Sequence, residues 1–263
     1  VNLIRSVLRG LPAYAWSGWG AIASLLLLLA AWEAASAVTG ALVLPDPRAA
    51  FAALSNLIDR GEAWQELAVT TRRALAGFAL SLVAGSLLGL AAGVSATAST
   101  MSRPIVTVLM GTPPIAWLVL ALLWFGAGDG TPVFTVFIAS FPVVFAGALQ
   151  GARTLDNQLR AMAEAFRLPL RMRLIDVYLP HVVSYLFPAW IAALGMSWKV
   201  VVMAELLATQ DGVGAALAVT RSHLDTAATM AWIVAILGAL LAAEYFVLEP
   251  LKREVERWRD GAP

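Results

Sequence analysis

Polar and apolar positions in this chain fall into long alternating blocks. Apolar runs long enough to cross a bilayer, for which about 20 residues suffice, recur between short polar segments. The first extends from about Trp16 to Leu44, behind Arg5 and Arg9 and interrupted by Glu33. Arg5, the apolar run and Ala35-Ser36-Ala37 also have the outline of a cleaved signal peptide, but the run is long for one and a retained helix is the preferred reading. Pro45-Asp46-Pro47 ends it. From Arg48 to Arg73, Phe51, Leu54, Leu57, Ile58, Trp64 and Leu67 stand at helical spacing between charges. That pattern predicts a short amphipathic helix at the interface followed by the entry to the next span, or else an ordinary connecting loop. Further spans are expected at about Ala74 to Ala96, Pro104 to Phe125, Pro132 to Leu149, Val183 to Leu207 and Ala227 to Leu248. The fold class that follows is all-α and polytopic, with about six transmembrane helices.

Composition agrees. The chain of 263 residues is 60% hydrophobic and 13% charged, with mean hydropathy +0.79. Soluble domains carry roughly a quarter charged residues, so lipid must cover much of this surface. The absence of cysteine excludes disulfides, thiolate catalysis and Cys-based metal sites. The net charge of +1 says little, because in a membrane protein the placement of charges matters more than their sum, and a basic surface for nucleic acid is unsupported.

The placement of Lys and Arg sets the expected orientation. With the N-terminus in the cytoplasm, the inside segments hold twelve of these residues, five of them between Arg153 and Arg173 and four in the tail from Lys252 to Arg259. The outside segments hold five, namely Arg48, Arg60, Arg72, Arg73 and Arg221. Both termini and the polar segment from Gly151 to Pro180 are therefore expected in the cytoplasm. That segment is the longest polar interruption between spans, which suits a contact with a cytoplasmic partner.

Several local patterns refine this picture. Gly77, Gly85, Gly89 and Gly93 stand on the second span, and small residues four apart let helix backbones approach closely. In the third span, Gly111-Thr112-Pro113-Pro114 removes two backbone donors and must distort the helix. Inside a membrane such a break is tolerated where protein or water surrounds it, which makes Thr112 and Pro113 candidate pathway residues or a structural kink. Gly126-Ala127-Gly128-Asp129-Gly130 has the GxGD pattern of intramembrane aspartyl proteases, but no second intramembrane Asp is available to share acid–base work. A glycine turn between spans is sufficient reason for it. His181 and His223 fall on opposite membrane faces and do not form one site.

Lys199 lies past the middle of the fifth span, toward the outside. Ionisable groups at such depth face a partner or an aqueous path. Glu205, six residues on, is on a different helical face, so no intrahelical pair is expected. Lys199 must meet another helix, a second subunit, water or an anionic solute, or snorkel outward. Trp198 beside it is a packing or lipid-facing aromatic, and Glu205 is expected near the outer mouth, where it could position a gate or a binding protein. Trp198, Lys199 and Glu205 thus join Thr112 and Pro113 as candidate translocation residues. No GxxxxGK[ST] loop is present for ATP, and no HExxH or G-x-S-x-G for hydrolysis.

Three features together resemble the permease subunits of type I ABC importers, in the nitrate/sulfonate/taurine branch. The first runs from Thr112-Pro113-Pro114-Ile115 to Leu123-Trp124-Phe125-Gly126. The second is Ala161-Met162-Ala163-Glu164-Ala165-Phe166-Arg167 through Val177-Tyr178-Leu179-Pro180, similar to that family's EAA loop. The third is Ala193-Leu194-Gly195-Met196-Ser197-Trp198-Lys199 with Ala204-Glu205 and Gly212-Val213-Gly214. The resemblance covers roughly Leu44 to the C-terminus. It divides the chain into residues 1–44, a cytoplasmic segment and first helix, and residues 45–263, the importer core with its loop at about 151–182.

In register with Leu179-Pro180, the family's Glu falls on Ala161 and its Gly on Arg167, and only Ala163 matches the small-residue core. That Gly lets the chain turn between two short helices. Here Leu168-Pro169 can end the first helix instead, since proline disfavours helix in the residue before it. The resemblance implies that Ala161, Ala163, Glu164, Ala165, Phe166, Arg167, Leu168 and Pro169 form an ATPase-coupling element. It also implies a second permease copy or paralogue, two cytoplasmic ATPase subunits that bind ATP and Mg, and a periplasmic binding protein. The chain itself is expected to need no cofactor and no metal, and to catalyse no reaction. The expected function is import of a small, anionic solute across a bacterial inner membrane. A carrier or channel working without an ATPase, and import of a small heterocycle such as a thiamine precursor, are the competing readings.

Overall fold

The computed structural model describes residues 20, 23–154, 162 and 165–243, and every regular element among them is helical. The first is α1, Ala23–Thr39, which falls short of a full span over its described part. Trp32, midway along it, donates its Nε1–H to the Pro45 carbonyl at 2.9 Å. Helix α2, Pro47–Asp59, starts with the expected chemistry: Asp46 accepts from the Ala49 amide and Pro47 occupies the first turn.

The sequence pattern placed an interfacial helix and then a separate entry between Arg48 and Arg73. The short helix is present as α2, which stops at Asp59, where Gly61 takes a left-handed φ of 78°. The entry is not separate from the span: a single helix, α3, runs unbroken over Glu62–Val94. No proline interrupts those 33 residues. Trp64, Leu67, Arg72 and Arg73 therefore belong to the span and not to its approach. The helix tolerates the arginines because one of them is fully partnered, as described below.

The remaining helices are α4 (Ala96–Gly111), α5 (Pro114–Phe125), α6 (Gly130–Arg153), α7 (Leu179–Ala208), α8 (Val213–Ser222) and α9 (Thr226–Ala243). A short helical turn at Leu170–Met172 and a π-helical segment at Arg173–Tyr178 lead into α7. Helices α3, α6, the segment ending in α7, and α9 are each long and apolar enough to cross a bilayer, and α4 with α5 makes a fifth span if the pair is counted as one. The last expected span continues past Ala243 into residues outside those described.

Helices α3 and α6 pack most extensively, and the reason is the glycine pattern. A Cβ on Gly77 would stand 2.6 Å from that of Val136, and one on Gly89 would stand 2.5 Å from the Phe145 carbonyl oxygen. Gly85 and Gly93 meet Val144 and Ala152 in the same way. Pairs that rise together along both helices mean that α3 and α6 run parallel. Gly147 and Gly151 of α6 then receive Ala189, Tyr185 and Val182 of α7, which runs antiparallel. Small residues at four-residue spacing make these contacts backbone-close, the packing that dispersion favours between helices in lipid.

This registry decides what α4–α5 does. The pair is bent by 92° at Thr112–Pro113, a geometry open to either a broken span or a re-entrant loop. It leaves α3 beside Gly93, at the Arg153 end of the bundle, and rejoins α6 at Asp129, at the Arg73 end. Twenty residues of α3 separate those levels, about 30 Å at helical rise. The pair must therefore cross the whole bundle. It is a broken span. Rings of Trp124, Phe125, Phe134, Phe137, Phe141 and Phe145 follow one another at centroid distances of 5.4 to 6.2 Å, tying the end of α5 to α6.

Candidate functional site

Two groups of polar residues stand out, one at each end of the bundle. The first centres on Arg73, which is 2% exposed. Its Nε donates to Asp129 at 2.7 Å, and Nη1 donates to Glu205 at 2.9 Å and to the Asp211 carbonyl at 2.8 Å. Nη2 adds bonds to the carboxylates of Asp129 and Asp211. Arg72 holds the second oxygen of Asp129 at 2.8 Å. Glu205, with no exposure at all, also accepts from Thr70 Oγ1 at 2.8 Å and the Gly214 amide at 3.2 Å. Thr70 Oγ1 in turn accepts from the Val213 amide, and Glu66 accepts from the Gly212 amide.

The site is built as it is because α3 brings Glu66, Thr70 and Arg73 to one face at spacings of four and three. Gly212, at φ 93°, turns the chain back so that the α8 N-terminus points its free amides at Thr70 and Glu205. A guanidinium offers five donors in a rigid fork, and here they reach three carboxylates and a carbonyl. Four separate parts of the chain meet at one side chain.

Of the residues expected to line a translocation path, Glu205 belongs to this cluster. It was expected near the outer mouth, where it could help position a gate or a binding protein; the structure buries it against Arg73. Lys199, six residues before Glu205 and about 9 Å back along α7 at helical rise, does not join it. Lys199 is exposed and makes no hydrogen bond or ion pair with any described residue, and Trp198 beside it is half-buried. Thr112 and Pro113 lie elsewhere, at the break between α4 and α5. Thr112 caps α4 through its amide and hydroxyl on the Val108 carbonyl, and Pro113 is exposed. The structure thus does not gather the five into one site.

The second group lies at the other end, around the expected coupling element. Ala161, Ala163 and Glu164 lie outside the described residues. Ala165 ends a helical turn closed by the Phe166 amide on the Met162 carbonyl. Phe166 and Leu170 are 76% and 74% exposed. Leu168 is half-buried, and Pro169 caps the turn at Leu170–Met172. Pro169, Arg171, Met172, Ile175 and Asp176 line an open groove of about 450 Å³. Exposed Phe, Leu, Met and Ile beside a groove form a surface suited to a protein partner.

The expectation for the missing glycine needs correction. Leu168-Pro169 was expected to end the first helix in its place. Pro169 instead opens the next turn, and Arg167 itself takes φ 47°, the left-handed conformation that glycine adopts freely. A side chain there costs about 1 to 2 kcal/mol. We expect Arg167→Gly to keep or raise the thermal stability of the solubilised protein, and Arg167→Val to lower it. Equal midpoints for the two variants would contradict the left-handed geometry.

Sequence reasoning missed Arg73, Thr70, Asp129, Asp211 and Glu66 as one cluster. The available signal was the absence of any helix breaker between Glu62 and Val94. That places Arg72 and Arg73 inside a span, where charges require partners.

Comparison with known proteins agrees with this architecture. The chain is 29% identical over 228 residues to SsuC of Escherichia coli (strain K12), a permease protein assigned to aliphatic sulfonate transport, covering 85% of this chain and 87% of that protein. It is 27% identical over 246 residues to the taurine transport system permease protein TauC of the same strain, covering 90% and 88%. Over 156 residues it is 30% identical to the nitrate import permease protein NrtB of Leptolyngbya laminosa, 59% of this chain and 56% of that one. Residues 81–257, more than half of the chain, match the family described as binding-protein-dependent transport system inner membrane component. With its membrane-length helices and these relatives, the chain belongs to that family, as an ABC-importer permease of the nitrate/sulfonate/taurine branch, a transport component that works with an ATPase and a solute-binding protein rather than an enzyme.

Proposed function

We propose that this chain, paired with a second permease subunit, imports a small anion of the sulfonate or nitrate class. Its Arg153 end and both termini face the cytoplasm and its Arg73 end faces the periplasm of a bacterial inner membrane. Two ATPase subunits, carrying ATP and Mg, dock on the element around Phe166 and Leu170. The orientation rests on the distribution of Lys and Arg. The solute class is supported by relatives named for sulfonates, taurine and nitrate.

The observation that carries the reading is Lys199. A lysine facing hydrocarbon near the middle of a helix costs about 2.5 to 3.5 kcal/mol on insertion scales. Lys199 is exposed on α7, in line with Pro188 and Ala192, and none of the described residues neutralises it. An aqueous path through the assembled dimer offers it water and an anion to balance. Thr112 and Pro113 would border the same path, where irregular backbone can be hydrated.

The test is uptake by proteoliposomes holding the complete complex. We expect Lys199→Met to lower uptake of taurine, an alkanesulfonate or nitrate at least roughly tenfold, the effect of losing about 1.4 kcal/mol of charge stabilisation. Uptake at the wild-type level would take Lys199 out of the path. At the other end, Phe166→Ala is expected to weaken recovery of the ATPase with tagged permease. Recovery unchanged would argue against docking there.

A further inference from the structure

The Arg73 cluster and the broken span together have a mechanical consequence. Arg73 joins α3, the turn before α6, the end of α7 and the α7–α8 connection through bonds to Asp129, Glu205 and Asp211. Opening the Arg73–Glu205 contact would leave Glu205, which has no exposure, without its countercharge. Moving Asp129 or Asp211 away would leave the buried guanidinium short of acceptors, and breaking one side of a buried pair is strongly unfavourable. Parts joined this way move together.

Helices α4 and α5 have the opposite character. Neither Pro113 nor Pro114 has an amide hydrogen, and no helical hydrogen bond crosses the break. The two rings fix φ at 113 and 114 and hold ψ of Thr112 and Pro113 extended, so the freedom to turn lies in Gly111, which has open space around it, and in φ of Thr112. Each side is closed separately, by the Thr112 amide on the Val108 carbonyl and the Ala116 amide on the Pro113 carbonyl. Thr112 and Pro113 both have extended backbone, ψ 123° and 138°. Among the residues of the two helices only Ser99, Leu118 and Ala121 are buried.

The ends of this pair are nevertheless held. Ser99 accepts from Arg153 Nη1 at 2.9 Å, and the Gly128 amide donates to the Ala208 carbonyl at 3.2 Å. At helical rise the two legs are about 24 Å and about 18 Å long. Set at 92°, they close a distance of about 30 Å. That equals the separation of the Arg73 and Gly93 levels, whereas a straight pair would reach about 42 Å. The span is longer than the gap it crosses, and the excess bows outward at Thr112–Pro113 by about 15 Å.

We propose that Arg73 is a positioning residue that holds α3, α6, α7 and α8 as one frame through the transport cycle, while the shape change falls on α4–α5, which flexes at Gly111–Thr112, beside the stiff proline pair, between ends the frame keeps fixed. The proposal rests on the transport reading above. It predicts a rigid outer end and a mobile bow within the same subunit.

The chain has no cysteine, so spin labels attach only where cysteines are introduced. Two pairs on exposed positions serve: Trp64→Cys with Val219→Cys across the frame, and Trp64→Cys with Met110→Cys from frame to bow. Distances are measured in the complete complex with one labelled copy, without nucleotide and with ATP under non-hydrolysing conditions. The expected result is an unchanged Trp64–Val219 distance and a shifted Trp64–Met110 distance. A nucleotide-dependent Trp64–Val219 distance, or a constant Trp64–Met110 distance, overturns the proposal. Arg73→Gln should broaden the Trp64–Val219 distribution and lower stimulation of ATPase by the binding protein roughly tenfold, with Arg73→Lys restoring part of it. A narrow distribution and full stimulation in Arg73→Gln would also overturn it. If that variant does not fold, the wild-type distances still decide. Failure of the transport reading is separate, since it would appear as a wild-type complex in which the binding protein stimulates neither ATPase nor uptake.

Discussion

Replacing Glu205 by alanine is expected to destabilise the protein by about 3 to 5 kcal/mol, the loss seen when one member of a buried ion pair is removed. The structure makes the effect large for a specific reason. Arg73 is 2% exposed and Glu205 fully buried, so neither charge can turn to water when the other is lost. Thr70 Oγ1 and the Gly214 amide lose their acceptor at the same time. The cost of these orphaned donors adds to that of the guanidinium. Arg73 retains Asp129 and Asp211, which are about half exposed, so part of its charge stays balanced. The measurement is recovery and unfolding midpoint of the detergent-solubilised protein. A double-mutant cycle with Arg73→Met then isolates the pair. If the two single changes are additive, the coupling is absent and the cluster holds nothing together.

A comparable loss is expected from Gly89→Leu, about 3 kcal/mol or more at the upper end of overpacking effects. A Cβ at Gly89 would stand 2.5 Å from the Phe145 carbonyl oxygen and 2.6 Å from Ala148 Cβ. The first obstacle is backbone and cannot rotate away, so α3 and α6 must separate. Because α6 also carries α7 through Gly147 and Gly151, the separation spreads to the whole bundle. Gly238→Leu on α9 is the control, since nothing lies within 4 Å of a Cβ there. Loss of monodisperse protein for Gly89→Leu with a normal profile for Gly238→Leu is the expected outcome. Equal behaviour of the two would mean that the glycines are ordinary membrane-helix residues with no packing role.

These cases show how unevenly structure was legible in the sequence. The glycine spacing on α3 announced close packing, but not against which helix or in which direction. The proline pair announced a distortion near Thr112, yet its size and its status as a crossing rather than a loop depended on where Gly93 and Asp129 lie in the bundle. Arg167 presents the reverse case. A turn was expected nearby because Leu168-Pro169 disfavours helix, and it formed one residue earlier, at a left-handed arginine. Proline constrains the residue before it but does not choose which residue makes the reversal.

The candidate site divides the same way. Lys199 was identifiable as a charge within a span because hydropathy is a property of neighbours in sequence. Glu205 was singled out too, although its partner was not. Arg73 pairs with Glu205 across 132 positions and with Asp211 across 138, and no local pattern carries that information.

By itself the amino-acid sequence determined that this protein is a helical membrane protein, because too few charged residues exist to cover a water-facing surface, and that its motifs fall in the order of an importer permease. Only the tertiary structure decided that α3 runs unbroken from Glu62 with two arginines inside it, that the broken pair crosses the bundle, and that three carboxylates from distant segments converge on one guanidinium. The physical reason is one of range. Hydrophobicity and backbone breaking act on a residue and its neighbours, whereas a buried charge is stabilised only by what the complete fold brings within hydrogen-bonding distance.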